Sequence, residues 1–289
     1  MAVFASVAFV VAAPQPPPEP TLATVLERTA AYVAEFYRRL SGIVAEEHYL
    51  QNWYSVRRPA EKVTLSHREL RSDLVLIRPP GEASWTELRD VFEVDGRPIR
   101  NRDDRIEALL RGPAGAASPD LAAIVADSAR FNIGDVDRNV NTPLFALRFL
   151  EAANQRRFRF KRSAGDAPGA RAPAAEFTPS DRVFRVSTEV WVIAYDEVGP
   201  GTMIRSGKRK DQPAHGRFWI EPATGRVLVS ELSVEDRRIR ATIEVSFQSE
   251  PLLEMLVPVA MRERYEIKPS KSRVDGLATY DRFRLLRAR

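Results

Sequence analysis

Cysteine is absent from the 289 residues, and histidine is nearly so. The first absence excludes disulfide bonds, thiol catalysis, cysteine zinc sites and lipid attachment to an N-terminal cysteine. The three histidines, His48, His67 and His215, lie far apart in the chain. The closest cluster is Glu46-Glu47-His48, but on a strand Glu47 would point away from its two neighbours. We therefore expect no metal site and no Ser-His-Asp triad.

Lysine is scarce too: only six of the 44 basic residues are lysines, so arginine supplies the other 38. The formal net charge is +5, but the basic residues are spread among 39 acids. The densest basic run covers residues 156–162. Phe158 and Phe160 share one face of that run and Arg157, Arg159 and Lys161 the other, which is typical of a half-buried strand. We expect no nucleic-acid partner.

Long hydrophobic runs are missing as well. The apolar stretch Val3–Ala13 is too short to cross a bilayer, which takes about 20 residues. It resembles the apolar core of a secretory signal, with small residues at Ala12 and Ala13, although no Lys or Arg precedes it. Proline-rich residues 14–20 follow. We therefore expect residues 1–20 to be a signal peptide or a disordered proline-rich tail, and the protein to be periplasmic or secreted, without a transmembrane segment.

The next segment has the pattern of an amphipathic helix. Thr21 is a suitable N-cap, and Gly42 is a suitable stop. Between them, apolar residues recur at helical spacing and predict one buried stripe: Leu22, Val25, Leu26, Thr29, Val33, Phe36, Tyr37 and Leu40.

Strand patterns follow over residues 43–51, 62–67 and 70–77, and then over 85–94 and 97–100 on either side of the hairpin signal Asp95-Gly96. Start signals at Asp103, Ser118-Pro119 and Thr142-Pro143 predict a helical insert over about 103–153. A strand over 156–162 precedes a flexible loop over about 163–181.

The remainder of the chain alternates apolar and polar residues with a period of two, as in Ile239, Ala241 and Ile243. Such alternation is typical of an antiparallel sheet with one covered face and one wet face. Turns are predicted at 222–225 and at Asp275-Gly276. Strands are predicted near 183–195, 202–206, 217–221, 226–234, 238–248, 257–267 and 276–286. The fold class is therefore α+β, with residues 21–289 as a single domain.

Several segments resemble those of a group of uncharacterised bacterial exported proteins. They comprise 216–227, 257–265 and 276–284, with 89–96, 129–134 and 141–143 earlier in the chain. The resemblance covers most of the chain after residue 20 and implies no activity.

More distantly, the order of elements resembles the lipoprotein-carrier fold of outer-membrane lipoprotein sorting. In that fold a leading helix and inserted helices lie in the concave face of a large curved antiparallel sheet, a half-barrel whose cavity shelters acyl chains. The resemblance implies the same architecture here. It rests on pattern without a specific motif, so it transfers no functional residue.

Two acids stand out because alternation places them among apolar residues: Asp90 beside Leu88 and Phe92, and Glu263 between Met261 and Tyr265. A carboxylate on a core face is paired or has a raised pKa. Each is therefore an arginine ion pair, a polar anchor in a pocket or a general acid/base.

Trp191, Trp219 and Tyr195 are candidates to line a ligand cavity, or are ordinary core. Residues 201–209 resemble a phosphate loop but have one residue too many between the glycines, and Arg209 stands where Ser or Thr should hold magnesium. We expect no cofactor.

These observations favour a non-enzymatic cell-envelope protein that binds an acyl chain, a lipid or a lipoprotein in a cavity between sheet and helices. An alternative is an envelope scaffold or sensor domain that binds another protein through an exposed apolar patch. A hydrolase is a third hypothesis, which requires Asp90 and Glu263, or one of them with a histidine, to converge in an open cleft.

Overall fold

The computed structural model describes residues 18–58, 61–78, 85–99, 128–136, 138, 140–163, 181–184, 186, 188–206 and 210–285. The apolar N-terminal run, most of the predicted helical insert and the predicted loop over 163–181 lie outside the described residues.

One helix and eleven strands dominate the described chain. Helix α1 spans Leu22–Leu40, and a short α2 spans Ala152–Gln155. Two 3₁₀ helices span Phe145–Leu150 and Asp181–Phe184. The strands are β1 Ile43–Arg58, β2 Glu61–Ile77, β3 Thr86–Val94, β4 Arg97–Pro98, β5 Phe158–Ser163, β6 Trp191–Glu197, β7 Ala214–Ile220, β8 Val227–Glu235, β9 Ile239–Glu250, β10 Met255–Ile267 and β11 Ser272–Leu285.

All eleven strands join in one curved, unclosed antiparallel sheet with the order β4-β3-β2-β1-β11-β10-β9-β8-β7-β6-β5. The first and last strands of the chain therefore pair in the middle of the sheet, Leu50 opposite Leu277. The other neighbouring strands follow one another in the chain: β1 to β4 run outward to one edge, and β5 to β11 run from the opposite edge back to the middle. The predicted fold class, an α+β protein with one large curved antiparallel sheet and an N-terminal helix, is confirmed.

Helix α1 forms where its local signals place it. Thr21 accepts a hydrogen bond from the Thr24 backbone N–H at 3.2 Å, and Gly42, at φ +81°, follows its end. Arg38 and Arg39 lie in the last turn, where positive charge favours the helix dipole. The stripe that faces the sheet is buried: Val25, Thr29, Val33, Phe36, Tyr37 and Leu40.

The face of the sheet beneath α1, the inner face, carries the main hydrophobic core. Tyr195 stacks on Phe218 with ring centroids 4.8 Å apart, and Phe149 of the first 3₁₀ helix packs on Phe158 at 4.6 Å. Tyr37 of α1 donates from its hydroxyl to the Leu144 carbonyl at 3.2 Å. These contacts pack α1 and the 3₁₀ helix directly against the inner face.

The opposite, outer face differs from the expected wet face. Residues 181–184 lie across part of it, and Phe184 packs in a second buried cluster with Val192, Trp219, Val229 and Ala260. The Arg262 guanidinium lies 4.2 Å from the centre of the Phe184 ring. Cross-strand ion pairs are buried beside this cluster, such as Arg217–Glu231 at 2.5 Å. Alternation alone does not reveal this cover, because most of the strands that residues 181–184 pack on are remote in sequence, such as β10 with Ala260.

Three local predictions were wrong. Asp275-Gly276 is not a turn but lies inside β11. The strand predicted over 183–195 is a 3₁₀ helix followed by a strand that begins only at Trp191. The strand predicted over 202–206 is reduced to a single bridge between Arg205 and Asp211.

Candidate functional site

Glu263, the acid singled out on β10, lies on the inner face with its side chain fully buried. Arg138 donates to one of its carboxylate oxygens, Oε1, at 2.7 Å, and Tyr49 on β1 donates its hydroxyl to the same oxygen. Tyr265 donates to the other oxygen at 3.2 Å. Of the roles the sequence left open, the geometry is that of the arginine ion pair.

Arg138 also connects this ion pair to the chain segment before it. A second nitrogen of its guanidinium donates to the Gln51 side-chain oxygen. The Gln51 amide in turn bonds the backbone of residues 131–133, accepting from Ile133 N at 3.2 Å and donating to Phe131 O at 3.3 Å. The irregular backbone of residues 131–133 therefore has hydrogen-bond partners where it packs against the sheet.

A second buried ion pair lies next to the first. Arg89 on β3 donates to Glu47 on β1, with one nitrogen–oxygen distance of 2.8 Å, and both side chains are almost fully buried. Ser72 donates to the same carboxylate at 2.8 Å, and Arg89 also donates to the Asn141 carbonyl at 2.9 Å. The Tyr49 ring faces the Arg89 guanidinium at 5.0 Å. The two pairs together place two acids and two arginines on the inner face.

A third inner-face acid, Glu87 on β3, has hydroxyl and amide partners in place of a direct ion pair. It accepts from Thr142 Oγ1 at 2.8 Å and from the Leu144 backbone N–H at 3.1 Å. Burial raises the pKa of Glu87 to about 7, against the lowering effect of these two hydrogen bonds and of Arg89 and Arg148.

Asp90 and Glu263 do not converge. Arg89 points to the inner face, so Asp90, the next residue of an extended strand, points to the outer face. Asp90 is only 4% exposed. In the antiparallel register of β2 and β3 it lies opposite Asp73. Strands β3 and β10 are four strand spacings apart, about 19 Å at the usual spacing. The convergence that a hydrolase needs is not met by these two acids.

The three predicted aromatic residues are buried in different places. Trp191 lies in the main core with the Arg162 guanidinium 3.8 Å from its ring centre. Tyr195 lies in the same core and donates to the Glu231 carbonyl at 3.0 Å, whereas Trp219 belongs to the outer-face cluster. None of the three lines a pocket described below.

Among the described residues, the sheet and the helix form a groove. It lies between α1 and the hairpin of β9 and β10, and we call it the helix–hairpin groove. Its volume is about 220 Å³, and its lining is Tyr32, Glu35, Phe36, Arg39, Arg226, Ser249, Glu254, Met255 and Leu256. Four of the nine residues are apolar or aromatic, and the charged ones are two acids and two arginines.

Three of the charged groups that line the groove have partners. Glu35 binds Arg38 at 2.5 Å, and Arg226 binds Glu221 at 2.9 Å. Arg39 donates to the Leu253 carbonyl of the hairpin turn at 2.6 Å. The groove therefore offers apolar surface without a concentration of one charge.

A larger hollow of about 520 Å³ lies beside the β3–β4 hairpin and includes Arg97, Arg130 and Phe131 in its lining.

Two of the histidines have hydrogen-bond partners in the sheet: His48 bonds Glu69 at 2.6 Å and His67 bonds Asn52 at 2.8 Å. Among the described residues, no group of three or more histidine or acidic side chains is arranged to hold a metal ion.

Sequence reasoning missed the inner-face residues Glu47, Glu87 and Arg138. The signal for Glu47 was present, because it alternates with Ala45 and Tyr49, as Glu263 alternates with Met261 and Tyr265. Arg138 gave no signal, since it lies outside any periodic segment.

No protein-family model and no curated protein matches the sequence. Among solved structures, a similar chain is a domain from Vibrio parahaemolyticus described as an outer membrane lipoprotein-sorting protein. The two chains are 12% identical, and the likeness covers 91% of this chain and 94% of the other with a TM-score of 0.38. At this level of similarity the likeness carries no inference about ligand or activity.

Proposed function

We propose that the protein is a non-enzymatic protein of the cell envelope that binds an acyl chain or a similar hydrophobic ligand. The proposed site is the helix–hairpin groove, where Phe36 of α1 faces Met255 and Leu256 of β10. The envelope location rests on the apolar, signal-like N-terminal sequence. Among the described helices, none is long and apolar enough to cross a membrane.

One observation carries the proposal: Leu252 is 90% exposed on the turn between β9 and β10, and the flanking ends of this hairpin line the groove. It is the most exposed of the large hydrophobic residues in the described chain. Full burial of a leucine side chain is worth about 1.5–3 kcal/mol. An apolar ligand that lies in the groove and extends over the turn would recover that free energy.

The size of the groove limits the ligand. A volume of 220 Å³ is that of about seven water molecules in the liquid, at about 30 Å³ each. A similar number of methylene groups, at about 0.8 kcal/mol each, gives at most roughly −5.6 kcal/mol from the groove, so the groove alone gives a Kd of about 0.1 mM or weaker. The groove therefore suits a single chain segment and is smaller than a typical drug-sized pocket of roughly 300–1,000 Å³.

The test is isothermal titration calorimetry with sodium decanoate below its critical micelle concentration. Ser249 is exposed and lines the groove, so Ser249→Trp fills the groove without disturbing the core. Thr64 is exposed on β2 and away from the groove, so Thr64→Trp is the matched control.

We expect a Kd of about 0.1 mM or weaker, the same for the parent and for Thr64→Trp, and binding at least tenfold weaker for Ser249→Trp. The proposal is wrong if the parent does not bind decanoate, or if both tryptophan variants bind it equally well.

The buried core on the inner face favours a second candidate, an envelope scaffold that binds another protein. A scaffold needs a packed interior and an exposed apolar patch, and Leu252 provides such exposure. The two candidates differ in their response to Leu252→Ser: a scaffold loses its protein partner, whereas decanoate binding in the groove weakens by about tenfold or more.

A further inference from the structure

Strand β5 is the last strand at one edge of the sheet and pairs only with β6 in the described chain. The Val198 backbone N–H bonds the Arg157 carbonyl at 2.8 Å, so Arg157 and every second residue after it face β6. The residues between them face the other way, because the direction alternates along an antiparallel ladder. Phe160 and Arg162 therefore present their backbone N–H and C=O groups to the open side of β5. Phe158 also faces that side but is only 6% exposed.

The side chains of β5 carry positive charge and no negative charge, from Arg159, Lys161 and Arg162. Phe160 packs against the main core, so Arg159 and Lys161 lie on the outer face, where both are exposed. Neither forms an ion pair with a described residue, although the exposed Asp196 lies opposite Arg159 on β6. The two cations are about 7 Å apart along the strand. Alternate side chains of an added strand have the same spacing.

An acid in irregular backbone already contacts this strand. Glu19, between Pro18 and Pro20, accepts a hydrogen bond from the Arg162 guanidinium at 2.6 Å. The same guanidinium lies 3.8 Å from the ring centre of Trp191, so this contact is on the inner face. It is a charge contact of the kind that an acidic extended segment would make with the cations of the outer face.

We propose that the open side of β5, together with Arg159 and Lys161, binds an acidic extended segment of another protein as an added strand. The proposal goes beyond the ligand-binding function and does not depend on it. Backbone hydrogen bonds would fix the register of such a segment, and acids at every second position would face the two cations. Nucleic acids and anionic membrane surfaces also carry negative charge, but they lack the peptide groups that Phe160 and Arg162 are placed to bond.

Fluorescence anisotropy with a short labelled peptide, acetyl-Thr-Val-Glu-Val-Glu-Val-Thr-amide, tests the proposal. Its two glutamates can face the two cations while its central valine lies opposite Phe160. We expect this acidic peptide to bind, with an affinity that falls as salt is added. The same peptide with lysines in place of the glutamates should not bind. Replacing the central valine by proline keeps both charges but removes one backbone donor, and should weaken binding by about fivefold.

Variants of the protein test the charges directly. Arg159→Gln/Lys161→Gln removes both cations from exposed positions and should weaken binding of the acidic peptide by about fivefold. Arg237→Gln/Arg238→Gln is the matched control, because it removes the same charge from exposed residues between β8 and β9; it should change binding by less than about twofold. Asp196→Asn removes the neighbouring acid and should tighten binding.

Amide hydrogen exchange measured by NMR separates strand addition from general charge attraction. With the acidic peptide bound, the amides of Phe160 and Arg162 should gain protection. Those of Arg159 and Lys161 should change little, because they already face β6.

The proposal is refuted if the acidic peptide does not bind, if the proline peptide or Arg159→Gln/Lys161→Gln binds as tightly as its parent, or if the two amides gain no protection. It is also refuted if oligothymidylate or anionic vesicles protect the same two amides equally. Positive charges on an edge strand can serve only to discourage pairing between sheets, and that role alone predicts no binding of the acidic peptide.

Discussion

The buried pair of Glu263 and Arg138 allows one quantitative prediction. Glu263→Gln keeps the size of the side chain but leaves the Arg138 guanidinium without an opposite charge in a fully buried place. Breaking a buried ion pair by removing one partner costs about 3–5 kcal/mol. We expect the free energy of unfolding to fall by that amount, a large part of the usual total of roughly 5–15 kcal/mol.

The double variant Glu263→Gln/Arg138→Met separates the ion pair from simple packing. It removes the uncompensated charge as well as the acid, so its stability should be closer to the parent than that of Glu263→Gln. Replacing a whole buried pair by uncharged groups of similar volume is often neutral. A coupling free energy of roughly 2–3 kcal/mol between the two substitutions is expected for groups in direct contact.

Urea unfolding followed by far-UV circular dichroism measures these differences, provided that the slope with urea stays constant across the variants. Our reasoning would be refuted if Glu263→Gln lost less than about 1 kcal/mol, or if the double variant lost the sum of the two single losses. Either result would mean that Arg138 finds water or another partner when Glu263 is neutral.

Three further substitutions test close packing or helix capping. The change in the urea midpoint of unfolding measures the effect of each. Gly276→Ala places a Cβ 2.6 Å from Glu263 Cγ and should cost about 1–3 kcal/mol; no loss would show that β11 can move away. Gly225→Ala, at φ +75° and 2.5 Å from the Arg28 backbone, should cost about 2 kcal/mol or more, whereas a neutral result would contradict the close approach of α1. Thr21→Ala removes the N-cap hydrogen bond and should cost about 1 kcal/mol, a loss that Thr21→Ser should largely avoid.

The parts of the fold that the sequence predicts are those set by local chemistry. Helix α1 has its cap, stripe and stop within consecutive residues, and it begins and ends as predicted. Local pattern also predicts β9 and β10, because two-residue alternation along each strand indicates its two faces. The hairpin at Asp95-Gly96 forms because both residues adopt positive φ, 51° and 74°.

The parts that the sequence did not predict depend on contacts between distant residues. Asp275-Gly276 has the composition of a turn, yet Asp275 is buried against Arg264, and Gly276 leaves room for Glu263 on the neighbouring strand. No local pattern distinguishes a glycine required by φ from one required by close packing.

The candidate site was predictable only in part, for the same reason. Alternation along β10 identifies Glu263 as a buried acid, but its partner Arg138 is 125 residues away. The helix–hairpin groove was also not predictable, because its walls come from α1 and from a hairpin more than 200 residues later. Aromatic residues on strands, such as Trp191 and Tyr195, proved to be buried core.

The most direct test of the proposed binding site is the methyl NMR spectrum of the methionines during a decanoate titration. The chain has only four methionines, so each methyl signal can be assigned by substitution. Met255 lines the groove, whereas Met203 and Met261 do not. We predict that the Met255 signal shifts with decanoate while those of Met203 and Met261 stay in place; an unmoved Met255 signal, or a larger shift at Met261, would contradict the account.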